Sequence, residues 1–239
     1  MSTQTEDHGQ HISQQFNAAL EEVKTHMLEM GGAVEKQLSE AIEVVLNSDS
    51  GLGQRVIKED DEIDAMERNI DEECSLIIAR RQPAASDLRL VLAIIKTIRD
   101  LERIGDESSK IARMGVKLSE SGDVAEGFVE FKYLSEKVRS LVNRALDSFA
   151  RFDVEAALAV AQEDAEVDKY YASAIRSLIT YMAEDPAQIS RMLNLLWAFR
   201  ALERVGDHAK NVSEHVIYLV RGTDIRHENL TEIAEQLVD

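Results

Sequence analysis

Apolar residues recur along this chain at spacings of three and four from residue 12 or so almost to the end. The first such stretch runs from about Ile12 to Asn47 and places Leu20, Val23, Met27, Met30, Val34, Leu38, Ile42 and Val45 on one stripe. Steps of three and four return to the same side of a 3.6-residue turn, so the pattern predicts a long amphipathic helix. Asn47-Ser48-Asp49-Ser50-Gly51 is turn and N-cap chemistry, and a second helix follows to about Arg81, with Val56, Ile63, Ile70 and Ile77 at seven-residue intervals. Pro83 marks the start of a third helix reaching about Leu118, because proline's missing N–H is harmless in a first turn. Ser121-Gly122-Asp123 then closes the first half. The second half repeats the plan, with helices over about Ala125–Phe149, Asp153–Ala183 and Pro186–Arg221. Asp185 is the expected cap of the last of these, Gly222 stands just past its end, and a short helical segment is expected from Asn229 to Val238. The expected fold is all-α: six long helices in two tandem three-helix bundles, residues 1–121 and 122–239.

The halves match in detail. Arg99-Asp100-Leu101-Glu102-Arg103-Ile104-Gly105-Asp106 and Arg200-Ala201-Leu202-Glu203-Arg204-Val205-Gly206-Asp207 are identical at six of eight positions, at an offset of 101. Asp60 and Asp64 correspond to Asp164 and Asp168 at an offset of 104. Internal repetition of this length reads as duplication of one structural unit.

Composition narrows the class. Two prolines and 11 glycines in 239 residues are too few for a turn-rich β protein, and 44% hydrophobic residues suffice for a core without staples. The one cysteine, Cys74, sits in an apolar helical pattern and reads as a buried, inert thiol. No N-terminal stretch has the form of a signal peptide, and the longest aliphatic run, Leu90 to Ile95, is far below the ~20 residues of a membrane span. A soluble, cytoplasmic protein is the expectation. Twenty-seven basic against 45 acidic residues leave a net charge of −18, which repels nucleic acid and anionic lipid; cations, or a basic patch on a protein partner, complement it.

Four acidic pairs at i, i+4 carry the candidate chemistry: Asp60/Asp64, Glu102/Asp106, Asp164/Asp168 and Glu203/Asp207. Members of such a pair lie ~40° apart around a helix and project from one face. They also lie in line with core stripes, such as Val160, Val167, Tyr171 and Leu178 in the fifth helix, and a buried carboxylate must meet a cation. Two readings stay open. Arg99 and Arg200, three residues before Glu102 and Glu203, can form salt bridges along the helix. Alternatively, pairs from neighbouring helices converge on a divalent or trivalent metal with oxygen ligands, such as Mg, Mn, Ca, Fe or Zn. Gly105 and Gly206, each directly before the second carboxylate, cost a helix about 1 kcal/mol relative to alanine. They imply close helix packing or room for an ion and its waters. No histidine follows a glutamate by three residues, so the di-iron oxidase motif is absent. No phosphate loop and no nucleophile–base set stands out. His208 reads as a surface residue, and Trp197 as core or interface.

Gln82-Pro83-Ala84-Ala85-Ser86-Asp87-Leu88-Arg89 and the two Leu-Glu-Arg-hydrophobic-Gly-Asp runs at Leu101–Asp106 and Leu202–Asp207 resemble the PhoU family, accessory proteins of phosphate-specific transport. The likeness extends over nearly the whole chain, including the opening from Ile12 to Gly32. The resemblance implies tandem three-helix bundles and multinuclear metal clusters on Asp60, Asp64, Glu102 and Asp106, then on Asp164, Asp168, Glu203 and Asp207. It implies a non-enzymatic role: repressing the phosphate-starvation regulon and limiting uptake. The implied partners are the transporter's ATP-binding subunit and a membrane histidine kinase, the membrane being reached only through them; exposed bundle faces add the expectation of a homodimer. The competing expectation is a metal-dependent enzyme or metal-storage bundle built on the same carboxylates.

Overall fold

The computed structural model describes the backbone of residues 3–81, 83–120 and 128–224, and side chains from residue 15 onward except 81 and 128. Six helices follow in order: α1 (Thr3–Asn47), α2 (Ser50–Arg81), α3 (Ala85–Ser119), α4 (Phe128–Arg151), α5 (Val154–Glu184) and α6 (Ile189–Arg221). Helix α1 starts nine residues before the Ile12 expected from the periodicity, because the polar segment ahead of the apolar stripe is helical too. Helix α3 begins at Ala85 with Ala84 as its cap, so Pro83 precedes the helix instead of opening it. The 121–123 turn, the boundary at 121/122, the start of the fourth helix at Ala125 and the segment 229–238 lie outside the described residues.

The turns behave as their residues dictate. Asp49 Oδ1 accepts the Leu52 amide at 2.9 Å, capping α2, while Ser48 takes the left-handed bend with φ 56°. Asp153 caps α5 by accepting the Ala156 amide at 3.0 Å. Asp185 caps a 3-10 turn, Pro186–Gln188, that leads into α6, and Gly222 ends α6 at φ 77°, a conformation that costs glycine least.

Every α1 stripe residue expected in the core is buried, as are Val56, Ile63, Ile70 and Ile77. Helices α1, α2 and α3 pack against one another, and so do α4, α5 and α6, where Phe131 meets Phe199 edge to face at 5.4 Å. Cys74 is fully buried, and burial pushes its thiol up to about 12, so the thiolate nucleophile does not form at neutral pH.

The two bundles join through α3 and α6, which make the most extensive interhelical contact, and more lightly through α1 and α4. Helices α3 and α6 run antiparallel. Arg89 near the start of α3 donates to the Leu219 carbonyl near the end of α6, and Glu107 further along α3 meets Arg204 earlier in α6. Among the described residues, helices α2 and α5 make no contact across this seam.

Candidate metal centres

The carboxylate pairs of α5 and α6 meet. One oxygen each of Asp168, Glu203 and Asp207 lies within 4.8 Å of the other two, with Asp168 exposed and Glu203 buried. Asp164, one turn before Asp168, is buried deeper and takes Lys210 Nζ at 3.2 Å on Oδ2. Burial raises the proton affinities of Glu203 and Asp207; repulsion from Asp207 and Asp168 adds to that of Glu203, and repulsion from Asp168 to that of Asp207. Burial also raises Asp164, against the pull of Lys210. Asp164 Oδ1 and Glu203 Oε2 are buried and accept no hydrogen bond. A Cβ on Gly206 would stand 3.3 Å from Val167 Cγ1 and 3.5 Å from that Asp164 Oδ1, so the glycine keeps α6 close to this wall.

In the first bundle, Gly105 plays the corresponding part: its Cβ would stand 3.2 Å from Ile63 and 3.5 Å from Asp60 Oδ1. Asp60, however, accepts from Gln37 Nε2 at 3.0 Å, and Gln37 also reaches Ser109. Ser109 is the repeat partner of Lys210, so a neutral pair here replaces the lysine of the second bundle. Glu102 and Asp106 are both clasped by Arg103, at 3.3 Å each. Burial raises Glu102, with Asp106, Glu67 and Asp64 contributing. Glu67 of α2, three residues after Asp64, also acts electrostatically on Glu102. Among the described residues, three carboxylates converge within 4.8 Å in the second bundle alone.

The arginines are arranged differently from the sequence expectation. Arg200 pairs with Glu203 at 2.7 Å as spacing predicts. Arg99 is exposed and acts electrostatically on Glu67, while Glu102 takes its neighbour Arg103. Arg103 lies between Glu102 and Asp106 in sequence and reaches both, which Arg99, a turn further back, does not. The counterpart Arg204 turns away to Glu107 at 2.8 Å.

Two groups at the seam escaped the sequence reading. Asp100 accepts from His208 Nδ1 (2.8 Å), Asn211 Nδ2 (3.0 Å) and His215 Nε2 (2.8 Å). Burial alone would raise its carboxyl, but these bonds outweigh it and bring it down to about 2. His208 is thus held between helices and is not a surface residue. Buried Glu107 is held by Arg204 and by Lys110 at 3.0 Å. The available signal was the repeat itself: Asp100 corresponds to Ala201, and Glu107 to His208, among otherwise matched residues.

The donor sets fit hard cations. Each bundle gathers carboxylates only, and the second leaves buried oxygens without a hydrogen bond on Asp164 and Glu203, whose proton affinities burial raises. Arg200 and Lys210 neutralise part of that set.

Known proteins share this architecture. The PhoU domain model matches residues 27–114 and again 131–216, one match in each bundle. The chain belongs to the PhoU family. It is 58% identical to the phosphate-specific transport system accessory protein PhoU homolog of Pseudomonas aeruginosa over 227 residues, 95% of this chain and 94% of that one. It is 44% identical to PhoU of Escherichia coli over 95% and 94% of the two chains. The crystal structure of PhoU from P. aeruginosa superimposes with a TM-score of 0.85 at 58% identity, covering 87% of this chain and 100% of that one. A PhoU phosphate transport regulatory protein from Streptococcus pneumoniae gives 0.80 at 27% identity, over 87% and 98%. The two matched PhoU domains contain the four acidic pairs, two in each.

Proposed function

We propose that this chain is the accessory regulator of a phosphate-specific transport system. In this reading it works in the cytoplasm as a homodimeric adapter between the transporter's ATP-binding subunit and a phosphate-sensing histidine kinase. It restrains uptake and represses the starvation regulon when phosphate is plentiful. The supporting observation is end-to-end identity of 58% with a protein that bears the accessory name. Among the described residues, no helix is long and apolar enough to cross a membrane, which agrees with attachment through partners. The carboxylate clusters are metal centres in this reading. Asp168, Glu203 and Asp207, with Asp164 behind them, would hold an ion in the second bundle; Asp60, Asp64, Glu102 and Asp106 would do so in the first, with Arg103 swung aside. When bound, the ion supplies charge neutralisation and ties α2 to α3 and α5 to α6.

A metal-dependent enzyme needs an acid–base group beside the ion. His208, next to Asp207 in sequence, is committed to Asp100, which favours the adapter reading. Deleting the gene should derepress phosphate scavenging in phosphate-rich medium, read by alkaline phosphatase activity, and the intact gene should restore repression. Unchanged expression in the deletion strain would overturn the proposal.

A further inference from the structure

The second bundle presents an apolar patch that the first does not. Trp197 is 59% exposed, Ile179 56%, Leu193 43% and Ile189 41%. Ile189, Leu193 and Trp197 succeed one another at i, i+4, i+8, so they line one face of α6. Ile179 joins them from α5: the Tyr171 ring faces Arg200 across the hairpin, and two turns on, that register sets exposed Ile179 level with Leu193.

The internal repeat supplies a control. The matching residues of the first bundle are Ser75, Leu88, Leu92 and Lys96. Both leucines and Lys96 are half-buried there, because the end of α6 lies over them. Lys96 Nζ sits 4.5 Å above the Tyr218 ring, and Arg89 bonds the Leu219 carbonyl. At the other end of the seam, Lys117 stands where the repeat would put Tyr218, and the tryptophan stays largely exposed. An exposed tryptophan with three aliphatic neighbours is the composition of an interface centre.

The rim has the sign opposite to the molecule. Arg176 is exposed one turn before Ile179; Arg200, which continues the Trp197 face, is already held by Glu203. The seam register that pairs Glu107 with Arg204 brings exposed Arg113 of α3 level with Trp197. On a chain of net charge −18, this is a basic rim around apolar anchors.

We infer that the Ile179–Ile189–Leu193–Trp197 patch is a docking surface for an acidic amphipathic segment of another protein, its apolar side chains on the patch and its carboxylates on Arg113 and Arg176. Charge complementarity selects that occupant: a basic segment would be attracted to the rest of the surface and repelled here. The inference goes beyond the adapter reading, and its test uses neither phosphate nor a transport protein, so the two fail separately.

Trp197 is the sole tryptophan, which makes its fluorescence a local reporter. The full-length protein is titrated with a capped helical peptide of about 15 residues, leucine at i, i+3, i+4 and i+7 and glutamate elsewhere. The control peptide carries lysine in place of glutamate. The expected result is a blue shift of Trp197 emission with the glutamate peptide and none with the lysine peptide. Binding should weaken about tenfold or more between 0.05 and 0.5 M salt, and Arg113→Glu with Arg176→Glu should abolish it while circular dichroism stays unchanged. No shift, or an equal shift with both peptides, overturns the inference. So does an emission shift that follows protein concentration alone and coincides with dimerisation through Leu193 in sedimentation, which would assign the patch to a second copy.

Discussion

At the scale of single residues, the molecule separates carboxylates that it satisfies from carboxylates that it leaves in deficit. Glu203 and Asp207 are raised, so the folded metal-free protein holds their protons more tightly than the unfolded chain does. Their contribution to stability therefore falls as pH rises from the ordinary carboxylate range through the raised folded values. Metal-free protein should be more resistant to heat near pH 5 than near pH 7, and Glu203→Gln should flatten that slope while removing metal from elemental analysis of the second bundle. A slope unchanged by Glu203→Gln would show that the strain lies elsewhere. Asp100 has the opposite sign: lowered to about 2, it contributes stability that is fully present above pH ~4 and lost as pH falls toward 2. Asp100→Ala would strand two histidines and an asparagine at the seam. The expected cost is about 2–4 kcal/mol in urea unfolding at pH 7; a loss below half a kcal/mol would mean solvent replaces the carboxylate. The acidic pairs were legible because i, i+4 spacing fixes a shared helix face. The partners of Asp100 were not, because contact between α3 and α6 depends on how two bundles dock, which periodicity does not encode.

At the scale of helices, the sequence was most informative. Periods of three and four located all six, with Asp49 in the expected turn before α2 and Asp153 at the start of α5; capping chemistry missed the start of α6, because Asp185 caps the 3-10 turn ahead of it. It misplaced the start of α3, where Pro83 stands ahead of a helix whose cap, Ala84, makes no side-chain bond. Position in the helix pair also decides what equivalent arginines do. Arg103 closes on its own helix, whereas Arg204 leaves its helix for buried Glu107, because α3 offers a carboxylate there and α6 offers only His208 in return. Asp153 gives the cleanest test of capping: Asp153→Ala removes the acceptor for the Ala156 amide and should cost about 1 kcal/mol. An unchanged midpoint in denaturant would mean that packing of α4 on α5 sets the start of α5 without the cap.

At the scale of the whole molecule, the seam between α3 and α6 makes two bundles one mechanical body. It holds buried charges that would be uncompensated if the bundles parted: Glu107 against Arg204, and Asp100 against His208 and His215. A single calorimetric transition is therefore expected for the metal-free protein, with calorimetric and van't Hoff enthalpies in agreement. Two resolved transitions would show that the bundles melt independently.

The antiparallel α3–α6 pairing has a consequence for ancestry. Two like halves facing each other through the same helix are arranged as the subunits of an isologous dimer, in which every contact from i to j is repeated from j to i. Fusion into one chain lifts that duplication. A substitution in a symmetric dimer is felt twice, but in the fused chain an aspartate can arise opposite histidines without its image arising on the far side. Asp100 against Ala201, Glu107 against His208 and Lys96 against Trp197 are such broken images. Covalent linkage leaves each half free to vary opposite the other, and such differences stand in both: Asp100 and Glu107 in the first half, Trp197 in the second.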